Sequence, residues 1–195
     1  MKNNEFNTIL KLNKIFKLGY IPSRKNESYE ESHNETGCKL GVFINCFAHA
    51  CFNLTNKQIQ DFDENDANSF GYKIDYLGQP HHMIRKNLIN FIKKTGLKVY
   101  RTTKDYPTAE NQWIVAMYFG LNMKDHMNQD YHFMLKEKDG FWSHKVGHNN
   151  VTKYVSDPPK RFIWQASQYE YTLDGFYLIT NPFVESKKED ENENY

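Results

Sequence analysis

DYHFMLKEKDGFWSHKV, residues 130–146, is the stretch whose reading decides the fold. Two runs rich in aromatic and aliphatic residues flank Asp139-Gly140, a dipeptide suited to a tight turn, so the segment reads as a β-hairpin. On its N-terminal side, LKVYRT (97–102) and WIVAMYF (113–119) have the same strand-like composition, as does GFYLIT (175–180) further on. Asp157-Pro158-Pro159 reads as a turn leading into the final strands. Upstream the period becomes helical. Ile84, Leu88, Phe91 and Ile92 fall on one face of residues 83–95, which Gly96 stops. Phe6, Ile9, Leu10, Ile15 and Phe16 recur at near-helical spacing before Gly19 and Pro22, giving an amphipathic N-terminal helix that docks on the body as a lid or brace. Between these two, CFAHACFNLTNKQIQDF (46–62) supports a helix opening at Asn45, a good N-cap, with Asn53 and Thr55 disturbing its far end. Helices first and strands second is an α+β fold, with N-terminal helices packed on a C-terminal antiparallel β-sheet.

A chain of 195 residues with 39% hydrophobic and 15% aromatic content suits one core. We read residues 1–184 as a single domain, of which 1–40 are the N-terminal helix and an exposed polar connection. Residues 185–195 read as a disordered acidic tail. A net charge of +1 supplies no field to gather nucleic acid or anionic lipid, and neither is an expected partner. Residues 1–20 lack the apolar block of a signal peptide, and no run approaches a membrane span. The expectation is a soluble protein, cytoplasmic or exported by a signal-independent route. The three cysteines, Cys38, Cys46 and Cys51, do not make a disulfide framework.

Cys46 stands where a helix begins, and a helix N-terminus is one of two common devices that lower a thiol pKa; the other is a nearby imidazolium. The imidazole must arrive from far along the chain, and His132, near the start of the hairpin's first strand, is the candidate base. His144 on the second strand is the candidate orienter that fixes the tautomer of His132. A three-residue hairpin loop sets His144 opposite Met134 and on the face of His132, whereas a two-residue loop sends it to the other face. Asp130, His148 and Asn149 are alternative third members. Amides at the helix start, with the Asn45 side chain, would make an oxyanion site; Asn45 is equally suited to be only a cap.

In their order along the chain, NCFAHA, GQP, WIVAMYFGLN and DYHFMLKEKDGFWSHKVG resemble the papain-like cysteine peptidases, and their NlpC branch in particular. They are also similar to a group of mostly bacterial proteins with an Asn-Cys-aromatic helix start and a DYHF…WSHK hairpin. The likeness spans residues 41–180, its sharp part being the two short motifs. It implies a papain-like fold and a Cys46-His132-polar triad that hydrolyses a peptide or amide substrate, a protein included, through a thioester. The chain departs from the pattern at GQPHH, which lacks the Gly-Asp common after this proline, and at His49, in a helix usually more apolar.

Each of these residues also has a plainer role. A cysteine on a helix serves as a small hydrophobe, and Cys38 and Cys51 are read that way. A histidine near a strand end is commonly a satisfied structural residue. The histidines at 132, 144 and 148, with Cys46 and His49 elsewhere, lack an HExxH or paired CxxC pattern, so no metal or cofactor is expected. Trp113, Trp142 and Trp164 are core or cleft-wall residues. The alternative to an enzyme is a catalytically inactive binding module on the same scaffold.

Overall fold

The computed structural model describes residues 3–22, 45–59, 61–62, 78–146, 151–154, 157–164 and 168–184. The polar connection at 23–36, Cys38, His148, Asn149 and the acidic tail at 185–195 lie outside the described residues. Among the described residues four helices come first: α1 (Asn3–Lys17), α2 (Cys46–Cys51), α3 (Asn56–Ile59) and α4 (His81–Lys94). Seven strands follow: β1 (Lys98–Thr102), β2 (Gln112–Asn122), β3 (Gln129–Lys136), β4 (Trp142–Lys145), β5 (Val151–Tyr154), β6 (Arg161–Trp164) and β7 (Tyr169–Thr180). They form one antiparallel sheet in the order β1-β7-β2-β3-β4-β5, with β6 also pairing with β7. The architecture is α+β, N-terminal helices packed on a seven-strand antiparallel sheet. Among the described residues no helix is long and apolar enough to cross a membrane.

α1 and α4 form where the periodicity predicts. α4 buries Ile84, Leu88, Phe91 and Ile92 and ends at Gly96, whose φ of +94° suits a residue without a side chain. α1 ends at Gly19 as expected, but its buried stripe is Ile9, Leu12 and Phe16, while Phe6 and Leu10 are exposed.

The single helix anticipated over 46–62 is two. Phe52 N and Asn53 N both bond to Ala48 O at 3.0 Å, and Asn53 turns left-handed at φ +38°. A capping box then restarts the chain: Thr55 Oγ1 accepts from Gln58 N at 3.3 Å, and Gln58 Oε1 accepts from Thr55 N at 2.8 Å.

Strand β5 is not among those expected, β6 follows the turn at Asp157-Pro158-Pro159, and β7 begins six residues before the apolar run at 175–180. Asp174-Gly175 imitates a turn but is a β-bulge: Gly175 pairs with Met117 and Leu173 with Tyr118, leaving Asp174 as the extra residue. Its carboxylate is held by Arg85 of α4 and by the Tyr177 hydroxyl.

β2 is apolar on both faces and separates two cores. Towards the helices, Val115 and Met117 meet Leu12, Phe16, Phe47, Phe91, Phe133 and Ile179. On the far face, Ile114, Ala116 and Tyr118 meet Met134, Trp142 and Leu178, with Phe162 and Trp164 packed against them.

Asn181 joins the two ends of this arrangement. Its buried Nδ2 donates to Phe16 O at 3.1 Å and Tyr20 O at 2.7 Å, tying the end of α1 to the end of β7. Asn181→Ala leaves those carbonyls without that donor and is expected to lower the urea-unfolding free energy by about 1–3 kcal/mol.

Candidate active site

The β3–β4 hairpin takes the three-residue alternative. Glu137 N bonds to Phe141 O at 2.8 Å, Gly140 N bonds to Glu137 O at 3.0 Å, and Gly140 has φ +85°. Met134 therefore pairs with His144, and the two histidines share the far face. His132 Nε2 lies 2.7 Å from His144 Nδ1, so one proton is shared along that line. Aromatic rings enclose the pair. Phe162, Trp164 and Tyr171 have centroids 6.0, 6.0 and 5.8 Å from His132, and Trp164 lies 5.6 Å from His144. Burial pushes His144 down to about 4. Burial likewise holds His132 well below its usual range, reinforced by His144 and then His49.

Cys46 is the first residue of α2, as expected, and is 6% exposed. Pairing of β3 with β4 runs only from Met134 to Lys136, so among the described residues no strand covers that edge of β3 at 131–133. The start of α2 occupies this edge. Tyr131 N is taken by Asp130 Oδ1 at 2.8 Å, and Tyr131 O accepts from Cys46 Sγ at 3.9 Å. The sulfur thus rests against the backbone beside His132, while the imidazole leaves the strand on the far face with Tyr118 and Met134. Among the described residues no hydrogen bond joins Cys46 to His132.

The lowered thiol pKa expected at a helix start is absent. Burial, with the Asp130 carboxylate adding to it, pushes Cys46 up to about 12, against the weaker pull of the Phe133 and Phe47 amides. Asn45 acts as the helix cap. Its Oδ1 accepts from Phe47 N and Ala48 N at 3.1 Å each, and its Nδ2 donates to Tyr131 Oη at 3.2 Å. Two of the amides expected to face an oxyanion, Phe47 N and Ala48 N, are therefore occupied by the cap itself.

Asp130, the alternative orienter, engages a different partner. Tyr171 Oη donates to Asp130 Oδ2 at 2.6 Å, and burial raises the carboxyl pKa. To reach Asp130 the Tyr171 ring crosses β2 over Gly120, where an added Cβ would meet the ring at 2.6 Å. Neither residue was singled out from the sequence, although a glycine inside an apolar strand is the usual sign of such a close approach.

His49, Ser143 and Glu137 form a further buried polar chain on the helix-facing side. His49 Nε2 is 3.0 Å from Ser143 Oγ, whose hydroxyl donates to Glu137 Oε1. His81, the other departure from the family pattern, stacks on Phe119 with centroids 4.7 Å apart. Among the described residues no three His, Cys, Asp or Glu side chains are gathered in a way that could hold a metal ion. The chain matches no protein-family model, no curated protein and no solved structure.

His144 stays neutral in the folded protein down to about 4 but protonates near its ordinary 6.5 when unfolded. Its contribution to stability is thus complete above pH 6.5 and lost as pH falls towards 4. Urea midpoints should fall across that window and fall less in His144→Gln; Asp130, raised by burial, works in the opposite sense. Gly120→Ala should destabilise the protein by about 1–3 kcal/mol, because the tethered Tyr171 ring must move.

Proposed function

We propose that this chain is a papain-like thiol hydrolase of the NlpC type, with Cys46 as nucleophile, His132 as base and His144 as orienter. The observation that carries this is the buried His132–His144 hydrogen bond, set in a strand whose backbone on both sides of His132 meets the Cys46 sulfur. With Nε2 of His132 engaged by His144, Nδ1 is the ring nitrogen left for the thiol.

Burial favours a neutral thiol and a neutral imidazole at rest, so proton transfer accompanies attack. As sulfur bonds to the substrate carbonyl carbon, the S–H proton passes to His132 Nδ1, and the sulfur exchanges its contact with Tyr131 O for the imidazole. The imidazolium returns that proton to the leaving amine as the C–N bond breaks, leaving a thioester at Cys46. Water, deprotonated by His132, then attacks the thioester; the C–S bond breaks and the thiol regains its proton. The substrate class is a peptide or side-chain amide.

A second reading, a catalytically silent binding module on the same scaffold, is favoured by the nearly closed sulfur and by the engagement of Phe47 N and Ala48 N with Asn45. Iodoacetamide labelling read by peptide mass spectrometry separates the two. The hydrolase requires Cys46 to label faster than Cys51, which is fully buried. It also requires His132→Ala to slow Cys46 by about tenfold near neutral pH while the circular dichroism is retained. Equal labelling of both cysteines, unaffected by His132→Ala, decides for the silent module.

A further inference from the structure

One histidine at the sheet–helix boundary has no part in the triad just proposed. His49 follows Cys46 by three residues, so the two share a face of α2, and both are buried. Its partner Ser143 immediately precedes His144 and pairs with Leu135. Alternation along β4 sends Ser143 towards the helices and His144 towards His132, so one strand touches the nucleophile's helix on one face and holds the orienter on the other. Ser143's only proton is committed to Glu137, so its oxygen accepts from His49 Nε2–H, which fixes the His49 tautomer.

We infer that His49 is a positioning residue: its bond to Ser143, backed by Glu137, holds the Cys46 turn of α2 in register with the His132–His144 pair. This rests on the thiol-hydrolase reading above. A helix of six residues has no stability of its own and takes its orientation from contacts. Phe47 inserts among Phe52, Phe91, Tyr131 and Phe133, and Asn45 bonds to Tyr131; these fix where the turn sits. Both act within the first turn, and rotation of α2 about its axis would slide Sγ along β3. The His49–Ser143 bond, further along the helix and on the sheet-facing side, is a polar contact that opposes it. The groups facing His49 are Glu137 through Ser143, the Cys46 thiol on its own helix and the His132 ring, whose proton affinity His49 lowers.

The test compares Cys46 labelling by iodoacetamide at about pH 6 and about pH 9 in the full chain. A change in accessibility scales both rates and cancels in their ratio, whereas assistance by neutral His132 adds a similar rate at both pH values and so forms a far larger share of the lower-pH rate. His49→Phe keeps a ring without the donor, and His49→Gln retains a donor near the position of Nε2. His49→Phe and Ser143→Ala should each lower the ratio by about tenfold, with no further loss in the double variant, and His49→Gln should stay within about threefold of the parent. Should His49→Phe fail to fold, Ser143→Ala carries the same expectation. Unchanged ratios in His49→Phe and Ser143→Ala, or equal losses in the Gln and Phe variants, overturn the positioning role alone, provided His132→Ala lowers the ratio. An unchanged ratio in His132→Ala overturns the hydrolase reading and this inference with it.

Discussion

The arrangement depends on the first turn of α2 filling the edge of β3 that β4 does not reach. Phe47 makes this possible: its ring is within 5.3–6.2 Å of four other aromatic centroids, Phe52 just after α2, one from α4 and two from β3. A buried phenyl ring is worth about 2–3 kcal/mol of transfer free energy, which is substantial for a helix of this length. Asn45 adds specificity: one side chain caps two amides and reaches the Tyr131 hydroxyl, so the helix begins at one residue and meets the strand at one register. Cys46 has its place because its two neighbours are fixed, with the His49–Ser143 bond as a third anchor along the helix.

Desolvation governs the chemistry of this region more than the helix terminus does. A two-turn helix has a small dipole, and here two of its first free amides already have an acceptor in Asn45, so burial outweighs what remains to stabilise a thiolate. The buried polar groups are instead arranged in short chains that stay neutral or keep charge at one end: His132 with His144, Tyr171 with Asp130, and His49 through Ser143 to Glu137. Two of these chains lie on the far face and one on the helix face, and β3 contributes to or borders all three.

The hairpin was legible because turn chemistry and strand alternation are local. Once Gly140 closes a three-residue loop, the pairing of His144 with Met134 and its shared face with His132 follow from counting. α1 and α4 were legible because period and glycine stop agree. What escaped depends on partners distant in sequence. Asp174-Gly175 is a bulge and not a turn because Met117 and Tyr118 oppose it. The same holds at the site. Cys46, His132 and His144 could be nominated from sequence, but the dominance of burial over the helix terminus, the capture of the amides by Asn45 and the reach of Tyr171 over Gly120 are tertiary effects.

β7 has a divided edge. From Phe176 to Thr180 it is laced to β1, and from Tyr169 to Thr172 the same side is laced to β6, with the Asp174 bulge between the two stretches. One continuous strand therefore answers to two separate neighbours. Damage at the β1 end leaves the other ladder intact, and the rings of Phe162 and Trp164 that wall in the histidine pair are anchored independently of the helices on the opposite side.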